Sequence, residues 1–401
     1  MKDYSGNNII NLTVAGHAST GKTMLSEAIL FNAKKIRKLG SINSGTTVSD
    51  YHDYEIANQH SVSLSVLTFE HSEKKINMFD TPGYLDFHGD VKCAMRVSDC
   101  VLNVISSSDG VSIGNDLVFD YAKKDFNSPM MIDINMCDRD QSNFDSIMTK
   151  LKDTIGRFVF PLMVPVNEGE GFSKVVDVLN KKFHTYKTDG TGGYESSDLD
   201  AEWSSKIESL YEELIELIAE SDEELLEKYF EDGELSAEDI QNGIKNAIVT
   251  QSLFPVFCTS ATQNIGVLTM LNLISSFSPT SADTKDPDAQ GFSALVFKTI
   301  NQEHVGDISF FRVFSGELST GQDVSNTIKN DTEKMKQLFI SCGNERVESD
   351  KILCGDIGST LKLKNTNTCD TLCTVNESVK LKDISFSSDN LSFAIQLSST
   401  G

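Results

Sequence analysis

The stretch VAGHASTGKTMLSEAIL, residues 14–30, decides how this chain is read. Gly16, Gly21, Lys22 and Thr23 fit the spacing G-x-x-x-x-G-K-[ST]. A β-branched run, NIINLTVAGH, leads into it. After it, Met24, Leu25, Ala28, Ile29 and Phe31 recur at helical spacing. Strand, glycine loop and helix are the context in which main-chain amides wrap a polyphosphate. The loop residues Gly16, His17, Ser19, Thr20 and Gly21 form the cradle in this reading. Lys22 reaches the β- and γ-phosphates, and Thr23 ligates Mg²⁺.

Downstream, DTPGYLDF follows the strand KKINMFD. An Asp at a strand end followed by a glycine turn suits a Mg²⁺ contact from Asp80 and a γ-phosphate contact from the Gly83 N–H. INMCDRD closes a further apolar strand, with Asn135 and Asp138 spaced as in N-K-x-D. A carboxylate at 138 can accept both the N1–H and the 2-amino hydrogens of guanine. Adenine offers no such pair and would leave the carboxylate unpaired. In TSA, the backbone of Ser260 and Ala261 is placed to meet guanine O6. The cofactors expected are therefore GTP or GDP and Mg²⁺. A kinase or ATPase reading conflicts with this guanine-selective set.

The chain has 401 residues, 39% of them hydrophobic, enough for two or three packed domains. The start carries no basic-then-apolar signal pattern, and no apolar run approaches the roughly 20 residues of a membrane span. The expectation is a cytoplasmic protein with no membrane partner. The eight Cys are scattered, none in a C-x-x-C pair, which reads as reduced thiols and no metal other than Mg²⁺. The net charge is −24. That argues against gripping DNA over a broad face. The excess is local: residues 195–240 hold 18 acidic side chains against Lys206 and Lys228.

Further buried strands are VLNVIS, MMIDIN and FPVFCTS, and VSLSVLTFE reads as half-buried through Val62, Leu64 and Val66. Strands alternating with helices argue for a mainly parallel sheet covered on both faces. About 120 residues separate two of these strands, far more than a crossover needs, so a subdomain is inserted there. Its acidic helical stretch has an apolar stripe of Ile207, Leu210, Leu214 and Leu217. After the linker SSFSPTSADTKDPDAQ come short strands with glycine turns, GFSALVFKTI, GDISFFRVFSG, EKMKQLFIS and STLKL, as in a small β-barrel.

With these residues placed, the chain resembles the translational GTPases, specifically elongation factor G and its elongation factor G-like paralogues. LGSINSGTTVSDYHDYE looks like the paralogues' first switch region. DEELLEKYFEDGELSAEDI and FPVFCTSATQNIGVLTMLNLISSFSPT match the inserted subdomain and the end of the GTP-binding domain, and GDISFFRVFSGELSTGQDV looks like the second, barrel domain. The resemblance implies an α/β P-loop GTPase domain (1–157 and 252–282), an inserted acidic α+β subdomain (158–251), an all-β barrel (283–386) and the start of a following domain (387–401). It also implies that the chain is the front part of a longer protein acting in the cytoplasm with the ribosome, through rRNA and a stalk protein for which the acidic helices are a docking candidate.

Four departures from the family pattern bear on catalysis. The water-positioning His after D-T-P-G is Tyr84, which cannot become an imidazolium. The Lys of N-K-x-D is Met136, which keeps an apolar stem and loses the charge. The Mg²⁺-ligating switch Thr is read as Ser63, in a register set to within a residue or two. Ser19 stands where elongation factor G has Asp. The reading is a GTPase with slow or ribosome-dependent hydrolysis, in which Tyr84, Lys22 and Gly83 occupy the catalytic positions. The alternative is a guanine-nucleotide switch with negligible hydrolysis. A drug-dislodging ribosome-protection factor would share the same front domain.

Overall fold

The computed structural model describes residues 4–284, 286, 291–386 and 393–394. The expected start of a further domain at 387–401 lies outside them apart from Phe393 and Ala394. An α/β domain comes first: β1 (Ile9–Ala15), α1 (Lys22–Asn32), α2 (Asp53–Asn58), β2 (Ser65–His71), β3 (Lys74–Asp80), α3 (His88–Arg96), β4 (Cys100–Ser106), α4 (Ile113–Asp120), β5 (Met130–Asn135), α5 (Phe144–Ile155) and β6 (Val159–Pro161). An α+β unit is then inserted. Its strands β7 (Met163–Pro165), β8 (Lys174–Asp177), β9 (Lys182–Tyr186) and β10 (Tyr194–Asp198) pair as an antiparallel sheet. Its helices are α6 (Ala201–Glu220), α7 (Glu223–Asp232) and α8 (Ala237–Val249). The chain returns through β11 (Phe254–Cys258) and α9 (Val267–Phe277).

The main sheet runs β2-β3-β1-β4-β5-β11-β6. β2 and β3 form an antiparallel hairpin turned by Ser72 and Glu73, both at positive φ. The remaining pairs are parallel. β1 and β4 are buried on both faces, which explains their largely apolar character, with Asn11 and Asn103 the buried amides among them. Parallel strands end on one edge, so the loops after β1, β3, β5 and β11 open side by side, where ligands of such sheets bind.

The all-β barrel follows: β12 (Ser293–Gln302), β13 (Gly306–Ser315), β14 (Glu317–Ser319), β15 (Asp323–Asn326), β16 (Asp331–Lys334), β17 (Leu338–Cys342), β18 (Glu345–Ser349), β19 (Lys351–Leu353), β20 (Ile357–Leu361) and β21 (Thr371–Thr374). EKMKQLFIS is therefore two strands, broken at residues 335–337, where Met335 turns inward instead and is fully buried.

The barrel packs against the first domain. β17 touches β2 through Cys342 and Leu67, and Phe297 meets Phe79 edge to face at 5.6 Å. β2 is consequently not half-buried as its alternation suggests. Leu67 and Phe69 face the first domain's core, while Leu64 and Val66 pack with barrel residues. Buried polar groups cross the same interface. Lys75 Nζ donates to Asp356 at 2.5 Å, Asn11 Nδ2 donates to the Gly355 carbonyl at 2.8 Å, and Arg312 Nη2 donates to Asp99 at 2.7 Å.

Candidate nucleotide-binding site

Between β1 and α1 the backbone takes conformations that glycine makes accessible. Gly16 has φ 144°, and a Cβ there would lie 2.3 Å from the Val104 carbonyl oxygen. Gly21, at φ 85°, caps α1, and its Cβ would fall 2.5 Å from Asn135 Nδ2. Ser19 is left-handed as well, at φ 64°. Such turns point successive N–H groups into one concavity, and the start of α1 adds its own. Lys22 Nζ is buried and donates to the His17 carbonyl at 2.7 Å, as does the Thr20 hydroxyl at 3.0 Å. Gly83 lies against this loop, since a Cβ there would sit 2.4 Å from Lys22 Nζ and 2.7 Å from Ala18.

Asp80, ending β3, accepts from the Ser49 hydroxyl at 2.7 Å through Oδ2. Its Oδ1 is buried without a partner among the described residues, and so is Asp50 Oδ2. Burial pulls Lys22 down to about 8 against the opposing pull of Asp80 and Asp50. Burial, reinforced by Asp50, pushes Asp80 up to about 7. A buried amine facing a nest of amides fits an anion. Orphaned carboxylate oxygens beside hydroxyls fit a hard, oxygen-loving cation. The donor set therefore suits a polyphosphate with Mg²⁺.

In the switch segment the residue paired with Thr23 lies two positions from the one expected, within the register allowed. Ser61, not Ser63, meets Thr23, with the two hydroxyl oxygens 3.0 Å apart. The Ser63 hydroxyl accepts from Lys298 instead. The chain bends here because the amides of Val62 and Ser63 both donate to Glu55 Oε1, at 3.0 and 3.1 Å. Upstream, Glu27 on α1 accepts from the amides of Gly40 and Val48, tying residues 40–48 to the helix behind the loop.

At the other end of the groove, Asn135 closes β5. Its Nδ2 donates to the Thr20 carbonyl at 2.9 Å, and its Oδ1 accepts from the Ala261 amide at 3.0 Å. One side chain thus braces the phosphate loop against the loop after β11. That second loop is held by reciprocal backbone bonds between Ser260 and Ile265, at 2.9 and 3.0 Å. Met136 sits beside Gly21, whose Cβ would lie 3.0 Å from the Met136 methyl. Asp138 Oδ1 is buried with no partner among the described residues. It is an acceptor in want of a donor.

Tyr84 is 44% exposed, and its ring meets His60 edge to face at 5.0 Å. Sequence reasoning did not single out Ser61, Glu27, Asp50, Asp133 or His88. Asp133, inside β5, is fully buried and pushed up to about 7 by burial, with Thr259 as its hydrogen-bond donor at 2.8 Å. His88 opens α3. Burial, with Lys22, His17 and Lys92 nearby, lowers its pKa, and its Nε2 has no partner among the described residues. A charged or polar residue inside an apolar period was the available signal for Glu27 and Asp133.

Comparison with known proteins agrees with this geometry. The family model described as the elongation factor Tu GTP binding domain matches residues 7–280, and the one for elongation factor G domain 2 matches residues 291–375. A crystal structure of a protein from Thermus thermophilus is similar, with a TM-score of 0.85 at 25% sequence identity. The match covers 92% of this chain and 55% of that one, so this chain spans about half of that protein's length.

Proposed function

We infer the function of this chain from its family, for it belongs to the translational GTPases of the elongation factor G type. From that premise we propose that its site binds GTP with Mg²⁺ and hydrolyses it slowly or in response to the ribosome. The carrying observation is Asn135, which holds the phosphate cradle and the guanine-reading loop in one rigid frame. Within that frame Lys22 and the loop amides orient the phosphates, Gly83 N–H meets the γ-phosphate, and Asp138 accepts from the guanine edge while Ser260 and Ala261 line it. Thr23 and Ser61 would hold Mg²⁺ with Asp80 behind them, and the ion would draw charge from the β- and γ-oxygens.

The partner is the ribosome, with the acidic face of α6 to α8 as a docking surface for its stalk, and the setting is the cytoplasm. No helix among the described residues is long and apolar enough to cross a membrane.

A second reading, a switch with negligible hydrolysis, is favoured by Tyr84, whose ring lies half exposed on His60. Calorimetric titration with GDP and ADP tests the binding claim. GDP is expected to bind at least about 100-fold tighter, because ADP leaves Asp138 unpaired. Equal affinities would overturn it. Turnover of GTP with and without ribosomes separates the two readings: none under either condition leaves the switch.

A further inference from the structure

Residues 61–64, which bring Ser61 to Thr23, are pinned from three directions. From α2, Glu55 Oε1 accepts from the Val62 and Ser63 amides. From α3, Asp90 Oδ2 accepts from the Leu64 amide at 2.6 Å. From the barrel, Lys298 Nζ donates to the Ser63 hydroxyl at 2.7 Å and to the Leu64 carbonyl.

Lys298 reaches this far because β12 is irregular. Its register against β13 slips between Val296 and Lys298. A bulge of this kind re-aims the side chains beside it. Phe297 then packs on Phe79, while Lys298 runs into the first domain and is almost fully buried. Burial lowers its pKa, with Asp90 and Glu55 pulling the other way. An ammonium is not placed there cheaply, and its hydrogen bonds go to the switch segment. Two other buried ionic contacts of the interface land elsewhere: Arg312 meets Asp99 just before β4, and Asp356 meets Lys75 on β3.

We propose that Lys298 is a positioning residue of the nucleotide site, by which the barrel holds residues 61–64 so that Ser61 stands beside Thr23 when a triphosphate and its metal are bound. The inference rests on the guanine-nucleotide reading above and adds to it a direction of coupling. Through the Lys298 contact the barrel favours the segment as the triphosphate state needs it, and by linkage the triphosphate favours that contact. A diphosphate, lacking the γ-phosphate that draws the switch segment in, gains little from the contact.

The test uses the full chain, with fluorescent-nucleotide displacement in the presence of Mg²⁺. Affinities are measured for GDP and for a non-hydrolysable GTP analogue. Lys298→Met is expected to weaken the analogue about tenfold, within the usual range of such couplings, and to leave GDP within about twofold. Arg312→Met, which cuts an interface contact remote from the segment, is expected to lower stability and leave the ratio of the two affinities unchanged. Amide exchange at Val62–Leu64 in the nucleotide-free protein should quicken in Lys298→Met alone. Should Lys298→Met fail to fold, Ser63→Ala removes one of its two contacts and should cost the analogue about threefold. Equal losses for both nucleotides, or none, in Lys298→Met or in this substitute would overturn the proposal. A wild-type chain that binds neither nucleotide removes the guanine-nucleotide reading itself, and the inference with it.

Discussion

His60 and Tyr84 meet edge to face, with ring centroids 5.0 Å apart. The contact joins the end of the first switch segment to the residue after D-T-P-G, and it leaves the Tyr84 ring 44% exposed. A phenol held there is a poor substitute for an imidazole, because it cannot carry a positive charge near neutral pH.

Tyr84→His is therefore expected to raise the single-turnover rate of GTP hydrolysis on ribosomes by about 10²-fold, the usual scale for one positioned acid–base group. Tyr84→Phe should change it by less than about threefold. Rapid-quench measurement on both variants checks this. Equal rates in the wild type and Tyr84→His would show that Tyr84 does not limit the chemistry.

Asp138 offers a cleaner separation of binding from stability. Its Oδ1 has no partner among the described residues, so the folded chain gains no hydrogen bond from that oxygen. Asp138→Ala should weaken GDP by about 2–3 kcal/mol, the loss of a charge-assisted pair, while the thermal midpoint stays the same or rises. Titration calorimetry and thermal unfolding on one preparation decide it. A large fall in midpoint would mean that Asp138 supports the fold instead.

What could be read from the sequence, and what could not, divides along physical lines. The turn between β1 and α1 was legible because Gly16 and Gly21 are demanded by backbone geometry, and a demand of that kind leaves a fixed spacing. The parallel sheet was legible because strands covered on both faces carry mostly apolar runs, even with Asn11, Asn103 and Asp133 set among them. The Ser61 register was not, because residues 61–64 belong to no regular element and their path is set by a carboxylate on another helix, Glu55. Nor was the burial of both faces of β2 over residues 65–69, where the second face is covered by residues more than two hundred positions away. The alternation of VSLSVLTFE reports only which side chains share a face, not what lies above it.

The interface makes its own prediction. Asp99 is fully buried and accepts from the Asn11 amide at 2.8 Å and from Arg312 at 2.7 Å. Burial raises its pKa even though Arg312 opposes the shift. Arg312→Met would leave that carboxylate without its charged partner and should cost about 3–5 kcal/mol in urea unfolding. Adding Asp99→Asn should recover part of the loss, since a neutral amide is cheaper to bury. Additive losses in the double variant would show that the two residues do not act as a pair.

Asp133 predicts a pH dependence with a definite sign. Its ordinary value is 3.8, and burial inside β5 pushes it up to about 7. Between those values the unfolded chain releases the proton while the folded chain keeps it. The stability this group contributes is therefore present below about pH 4, declines as pH rises, and is gone above about pH 7. Asp133→Asn removes the titration. An amide can donate to the Thr259 oxygen, freeing that hydroxyl to donate to Asn135 Oδ1, now 3.2 Å away. The variant's advantage over the wild type should grow by about 2–3 kcal/mol between pH 5 and pH 8, at 1.36 kcal/mol per pH unit of differential protonation. Chemical denaturation across that range measures it. A gap that stays constant with pH would mean that Asp133 keeps the same charge in both states, and a gap that closes as pH rises would reverse the sign argued here.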